Sequence, residues 1–573
     1  MTETLFVLAS FLAFMLIVAL YSYSKTKGIS ESGVSGFFLA GRGLTAWFIV
    51  GSLLLSNLSA EQLVGLNGNA YRFDISGLAW ESSAAIATIA MALFFLPRYL
   101  KRGITTMPEF LEERFDATTR RMVSIMFLIG YAIMANPSSL YLGAITMDEM
   151  FGLHESLDIS YSSSIAILSL VMGAVGGLYA ACGGLKAVAV SDTINGIILL
   201  VASILIPFLG LMALGDGSIS DGFMMLVNEN PEQLNAIGDE NASVPFGTLF
   251  TGMICANLFY WCTNQMIIQR TLGAKSLAEG QKGVLLAGSI KLLVPLVMVL
   301  PGLIAFNMFG DTLENGDVAY PTLVKAVLPW WLTGLFAAAL FGTVVSHFNS
   351  IVNSSATLFA MDLYGPLTGC TDEKKLVKVG KWGSVAFALV SIAIAPLLLD
   401  APGGIFDLLR RFTGFYNIPI ITIVLVGFLT KRVPAVAAKF VLGFHIVFYG
   451  SYMFAGLDEM IDLHYIHIMG IMFALEVGIM MLFGKLMPKT DYQPKEIKPV
   501  IPMQPWHHAK SMSVFIVAGL VTIYVTLSPL GLANPDGIAN TYPMLVAGIW
   551  MIAVVIIRQL RKSVTGNACA STN

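Results

Sequence analysis

Apolar runs follow one another along almost the whole chain, at about 4–23, 44–71, 76–98, 121–150, 160–182, 187–214, 246–268, 281–309, 328–361, 376–400, 404–430, 433–455, 461–487, 510–531 and 540–560. A helix of about 20 apolar residues spans a hydrocarbon core of about 30 Å, so each run predicts one transmembrane crossing. The pattern gives about fifteen crossings, or fourteen if one C-terminal run is miscounted. A transmembrane β-barrel would instead show strands of about ten alternating residues, and no such alternation dominates. The fold class read from the pattern is an all-α polytopic membrane protein. No stretch of more than about 35 residues lacks a helix candidate, and Gly-x-Gly-x-x-Gly and Walker motifs are absent. A single transmembrane domain over 1–573 is therefore expected, with no separate soluble domain.

Composition and charge change the picture in three respects. Of 573 residues 56% are hydrophobic and 12% charged, against about 25% charged in soluble chains, which excludes a water-soluble enzyme. The net charge of -3 gives no electrostatic reason to expect a nucleic-acid partner. Five cysteines (Cys182, Cys255, Cys262, Cys370, Cys569) lack paired or metal-type spacing, so neither a disulfide framework nor a metal site is expected. The distribution of charge adds a fourth, orientation. With the N-terminus outside, 28 of the 33 Lys and Arg fall in cytoplasmic loops, and only Arg72 and Lys325 fall outside. The N-terminus is thus expected to be periplasmic and the 561–573 tail cytoplasmic. The first run has no Lys or Arg before it and no small-residue cleavage site after it, so it reads as a retained helix rather than a signal peptide.

Polar groups at membrane depth are expensive and mark cavities, partners or transport paths. Ser56-Asn57-Leu58-Ser59-Ala60-Glu61-Gln62 interrupts the second run, between Gly51 and Gly65, and Asn257-Leu258-Phe259-Tyr260-Trp261-Cys262-Thr263-Asn264-Gln265 interrupts the seventh. Both stretches are expected to unwind, with freed carbonyls available to a cation. Lying five segments apart, they suggest a duplicated five-helix unit. The alternative is that these amides serve as interhelical glue, worth about 0.6 kcal/mol each. Three basic residues, Lys291, Arg410 and Arg411, and the carboxylate Glu81 stand near these breaks. A carboxylate, an ammonium and several amides match the donors and acceptors of a sugar, with Trp80 or Tyr260 covering its C–H face. Equally, Glu81 and Lys291 could form a structural ion pair, and Arg411 reads as a snorkelling end residue. The groups resemble no nucleophile, base and oxyanion-hole set, so no enzyme is expected.

Ser59-Ala60-Glu61-Gln62, Gly183-Gly184-Leu185-Lys186-Ala187-Val188 with Asp192, and the run from Asn257 to Leu272 resemble the sodium/solute symporter family. The likeness extends from Gly36-Phe37-Phe38-Leu39-Ala40-Gly41-Arg42 to about residue 430. Within the family it resembles bacterial sodium/galactose symporters, and resembles an uncharacterised bacterial branch more closely. The resemblance implies a LeuT-like inverted five-helix repeat with discontinuous first and sixth core helices. It also implies a ten-helix core over 44–430, an extra N-terminal helix at 4–23 and additional C-terminal helices over 433–560. For sodium it implies the carbonyls of Leu55, Leu58 and Thr343 and the hydroxyl of Ser346, oxygen ligands that suit a hard cation. His347 stands where the family has a second hydroxyl, which points to weaker sodium binding, a proton contribution, or an imidazole turned toward a neighbour. Asp192 matches a carboxylate on the sodium exit path. The implied sugar site is Gln62, Glu81, Asn257 and Lys291, with Tyr260 as inner gate, Asn57 as helper, and Leu66, Trp80 and Phe406 as outer gate. Ala84 and Arg410 replace a sugar-contacting Ser and Gln. Arg410 is expected to pair with Asp407, ahead of bonding a neutral sugar or a substrate carboxylate.

The resulting expectation is a sodium-coupled symporter in the bacterial inner membrane that imports a galactose- or glucose-like sugar by alternating access. Its partners would be a small sugar, sodium and the lipid bilayer, with no nucleic acid; sodium, or a proton, is the coupling ion. Rival readings are the same fold carrying a sugar acid, sialic acid or monocarboxylate, and a non-transporting sugar sensor or sodium leak channel.

Overall fold

The computed structural model describes residues 2–26, 33–57, 59–240, 242–293, 295–313, 315–400, 405–489, 492 and 499–570. For 2–5, 19, 22–23, 25–26, 55, 60, 178–188, 311, 400 and 563–570 the backbone alone is described. Leu58, the side chains of Leu55 and of the Gly183–Val188 motif, and the cytoplasmic-loop residues Lys27, Lys495 and Lys498 therefore lie outside the described residues.

Each apolar run is helical over most of its described length. In chain order the helices are α1 Thr2–Thr26, α2 Ala46–Asn57, α3 Ala60–Arg72, α4 Ile75–Arg102, α5 Ala117–Phe151, α6 Tyr161–Leu214, α7 Gly252–Cys262, α8 Gln265–Leu272 and α9 Leu277–Ile290. There follow α10 Leu300–Phe309, α11 Trp330–Leu358, α12 Glu373–Ile394, α13 Ile405–Leu429, α14 Ala435–Phe454, α15 Tyr465–Leu486, α16 Ala509–Thr526 and α17 Tyr542–Ala570. Among the described residues, ten helices are long and apolar enough to cross a membrane, or eleven if the bent pair around α9 and α10 forms one span. The other runs are short or interrupted helices, so fifteen crossings remains an expectation of the sequence. The single β-type contact among the described residues is an isolated bridge between Leu44 and Ala274.

One difference concerns α6, where the sequence predicts two spans with a loop at Lys186. The structure runs a helix through that point, 54 residues in all. Even so, the chain reverses. A straight helix would separate Gly176 from Asn195 by about 28 Å, yet Gly176 packs on Phe348 and Asn195 on Gly342, two positions about 9 Å apart along α11. The two spans expected from the sequence therefore stand as two passes.

Proline sets the irregularities that aim side chains inward. Pro137 cannot donate to residue 133, and the turn ahead of it, Tyr131–Ala135, opens to a π-turn. Pro295 likewise leaves the carbonyl of Lys291 without its helical donor, and the chain bends by 51° there. Lys291 thus sits at a kink deep in the protein.

The C-terminal helices α14 and α15 are fastened to α7 and α13. Between α13, α14 and α15 the fully buried His445 places Nδ1 2.6 Å from Glu476 Oε1 and Nε2 3.2 Å from the Gly414 carbonyl. Thr422 donates to the other Glu476 oxygen at 2.9 Å. Outside the spans, burial pushes His464 down to about 4, against the opposing pull of Asp407. The imidazole is then neutral at pH 7, and it caps α15 by accepting from the Ile466 amide at 3.4 Å. Gly252 meets α15 so closely that a Cβ there would lie 1.9 Å from the Ile466 carbonyl oxygen. Gly252→Ala is therefore expected to destabilise the protein by about 1–3 kcal/mol, read as a lower midpoint in a thermal-unfolding scan; Gly443→Ala, whose Cβ would meet nothing within 4 Å, is the control expected to be silent.

Candidate functional site

Both interruptions seen in the sequence are breaks in the structure. The first lies between α2 and α3, where Ser59 is extended (φ -83°, ψ 170°) ahead of α3. The Ser56 carbonyl, freed at the end of α2, is met by side chains: Tyr260 donates to it at 3.3 Å, and His347 Nδ1 lies 2.8 Å away. The second break falls at Thr263 and Asn264, between α7 and α8. Asn264 Oδ1 caps α8 by accepting from the Met266 amide at 3.0 Å and from Tyr131 at 2.5 Å. The Cys262 carbonyl accepts from Tyr99 at 2.8 Å. Unwound backbone at this depth is thus paired with protein groups, as a membrane interior requires.

The two breaks face one cavity of about 50 Å³. Asn57, Glu61 and Gln62 line it from the first break and Asn257, Tyr260 and Asn264 from the second; Trp80, Glu81, His347 and Arg410 are also in its wall. A cavity of this size holds water, and a sugar ring is admitted only if its walls move. Lys291 stands just behind, in an adjoining cavity that Asn57 shares. Its ammonium donates to Glu81 and to Asn57 Oδ1, and Asn57 Nδ2 lies 3.4 Å from Glu81 Oε1. The ammonium also lies 5.0 Å from the Trp261 ring centroid. All these residues are buried, so the two charges neutralise each other where neither could stand alone. Asn257 Nδ2 donates to Ser83 at 2.9 Å.

Of the residues expected at an outer gate, Trp80 lines the cavity. Leu66 and Phe406 are buried in the core above it, with Gly65 closely backed by Phe406. Arg410 differs from expectation. Its guanidinium carbon lies 4.8 Å from the ring centroids of both Trp80 and Phe406, and Nε and Nη2 are buried without a hydrogen-bond partner. Asp407 pairs instead with Arg411 at 2.7 Å. Packing explains this correction: residues three and four apart are both neighbours on a helix, but Arg411 stays with Asp407 on the half-exposed side, whereas Arg410 is turned inward between Trp80 and Phe406. Arg411 is thus an ion-pair partner and not simply a snorkelling end.

On α11, Thr343 donates to the Ala339 carbonyl at 2.8 Å, and Ser346 Oγ is buried without a partner. Leu55 lies in the last full turn of α2, and Leu58 is outside the described residues. His347 is turned toward neighbours, to Ser56 and with Nε2 3.8 Å from Glu61 Oε1; Glu61 accepts from Ser138 at 3.0 Å. Beneath these positions Asp192 accepts from Ser52 at 2.7 Å and lies 3.7 Å from Arg270 Nη2. Arg270 also donates to Ser52, Ser350 and the Met266 carbonyl, which ties α8 to α2, α6 and α11. Among the described residues no group of His, Cys, Asp and Glu could hold a metal ion.

Sequence reasoning missed Tyr131, Tyr416 and Asn417, which also line the cavity. For Asn417 a signal existed, an amide two residues before Pro419 inside an apolar run. The two tyrosines read as ordinary span residues.

Comparison with known proteins accords with this geometry. The family model described as the Sodium:solute symporter family matches residues 37–440. The uncharacterized symporter YidK of Escherichia coli (strain K12) is 42% identical over 550 residues, 96% of this chain and 94% of its own. A sodium/glucose cotransporter of Vibrio parahaemolyticus is 32% identical over 462 residues, 75% of this chain and 81% of its own. The solved structure of a Na+-coupled sialic acid symporter, substrate-bound and outward-open, superposes with a TM-score of 0.71 at 20% identity, covering 85% of this chain and 99% of that one. That likeness shows the fold, which is all-helical and LeuT-like. With a family model spanning more than half of its length, and discontinuous helices meeting at a buried polar site, this multi-pass membrane protein belongs to the sodium:solute symporter family.

Proposed function

We propose that this chain is a sodium-coupled symporter of the bacterial inner membrane that imports a neutral hexose or closely related polyol. The observation that carries this reading is the buried Glu81–Lys291–Asn57 cluster beside the broken helices. It is neutral overall, rich in both donors and acceptors, and joined by the amides of Gln62 and Asn257. Sugar hydroxyls can take over these contacts one for one, with Tyr260 below and Trp80 above. Leu55, Leu58, Thr343 and Ser346 supply oxygen to sodium in this reading, and the unpartnered Ser346 hydroxyl supports it. Asp192 then stands on the path by which sodium leaves. One sodium moving down a tenfold gradient and 100 mV supplies about 3.7 kcal/mol, enough for roughly 500-fold accumulation of a neutral solute. The N-terminus is periplasmic and the C-terminus cytoplasmic in this assignment.

Arg410 favours a second reading. Two guanidinium nitrogens buried without partners beside the cavity would suit the carboxylate of a sugar acid, sialic acid or monocarboxylate. Thermal stabilisation of the purified protein by galactose, glucose, galacturonate and sialic acid, each in sodium or choline, separates the two. Sodium-dependent stabilisation by a neutral hexose is the expected result; preference for the acids, lost in Arg410→Gln, would replace it with the second reading. His347→Ser returns a hydroxyl beside Ser346 and is expected to tighten sodium binding several-fold in a sodium titration. An unchanged titration would make His347 a bystander to the ion.

A further inference from the structure

Away from the transport site, α4, α9, α16 and α17 enclose a cavity of about 820 Å³ on the face that carries the basic loops. Its walls are largely apolar, with Leu93, Met503 and Trp506 among them, and Lys101, Lys510 and Arg561 stand at its rim. All three cations are exposed, and no Asp or Glu lines the cavity among the described residues. One wall is fixed in place: the Trp506 amide donates to Gln281 Oε1 at 2.8 Å, and the Leu277 amide donates to the Pro502 carbonyl at 3.0 Å. The opposite wall is the end of α17, which packs on α16 through Phe515 and Trp550 and through a hydrogen bond between the Thr526 and Tyr542 hydroxyls at 2.9 Å, with much of its remaining face exposed. A cleft between membrane helices, apolar along its length and cationic at the end where those helices leave the bilayer, has the polarity profile of a single phospholipid.

We propose that this cleft binds an anionic phospholipid, with its phosphate among Lys101, Lys510 and Arg561 and an acyl chain between α4 and α17. Basic pockets between helices on the cytoplasmic side commonly take anionic headgroups. Charge complementarity decides the headgroup, because a zwitterionic lipid brings its own cation to a rim that already holds three. The apolar walls decide for a lipid over a free anion.

Native mass spectrometry and thermal shift on the full chain in detergent test the proposal, with dioleoyl-phosphatidylglycerol, dioleoyl-phosphatidylcholine and inorganic phosphate as probes. Phosphatidylglycerol is expected to be retained at least tenfold over phosphatidylcholine and to raise the melting midpoint by several degrees, while phosphate does neither. The triple variant Lys101→Gln, Lys510→Gln, Arg561→Gln should retain both lipids equally and keep the parent midpoint in phosphatidylcholine. If the triple variant fails to fold, Lys510→Gln alone should lose at least threefold of the preference. Equal retention of the two lipids by the parent protein, an undiminished preference in the variants, or a shift reproduced by phosphate would each overturn the proposal. So would a dimer that forms in place of lipid binding and is lost in Leu93→Glu.

Discussion

Lys291→Ala should abolish sugar binding and sharply lower thermal stability, whereas Lys291→Met combined with Glu81→Gln should recover most of the stability and none of the binding. Glu81 and Lys291 are both almost fully buried and in direct contact. Removing the ammonium leaves a buried carboxylate uncompensated, a loss of about 3–5 kcal/mol. Removing both charges with residues of similar volume takes away the penalty along with the attraction, so a double-mutant cycle should return a large interaction energy. Sugar recognition has no such rescue, because the thioether has none of the ammonium's three donors and the amide keeps only one of the two carboxylate acceptors that hydroxyls would meet. Calorimetric titration of a hexose and of sodium against each variant gives the readout. Comparable losses of sugar and sodium binding in Lys291→Ala would mean that the pair is structural alone.

A second large effect is expected at Arg270, which the sequence reading counted among the cytoplasmic-loop cations and the structure buries completely. Its guanidinium is fully buried and joins Ser52, Ser350, the Met266 carbonyl and, at 3.7 Å, Asp192. Arg270→Met strands Asp192 in the protein interior, again about 3–5 kcal/mol, and unties four segments at once. The variant should give little monodisperse protein in size-exclusion chromatography. Adding Asp192→Asn should recover part of the yield, while Arg270→Lys should not match the parent, because an ammonium cannot reproduce the planar fork. A melting midpoint for Arg270→Met within 2 °C of the parent would contradict this account.

The span pattern and the two breaks were legible because the bilayer makes them so. An amide-rich stretch inside an apolar run is too costly to be incidental, and both such stretches are breaks, at Ser59 and at Thr263 with Asn264. Glu81 and Lys291, 210 residues apart, could be matched in advance because each is an expensive charge in want of a partner. Rotation about the helix axis was not legible. Arg410 and Arg411 both lie about one turn from Asp407, and only packing decides that Arg411 takes the carboxylate while Arg410 turns between Trp80 and Phe406. For the same reason Tyr131 and Tyr416, indistinguishable by sequence from lipid-facing aromatics, prove to line the cavity.

The central claim is coupling, and the most direct test is uptake of labelled galactose or glucose by proteoliposomes containing the full chain, with an inward sodium gradient and a negative interior potential. The account predicts transient accumulation above the external concentration, abolished when choline replaces sodium and lost in Lys291→Ala. Sugar entering only to equilibrium at a rate indifferent to sodium, or a sodium flux that sugar does not change, would contradict it.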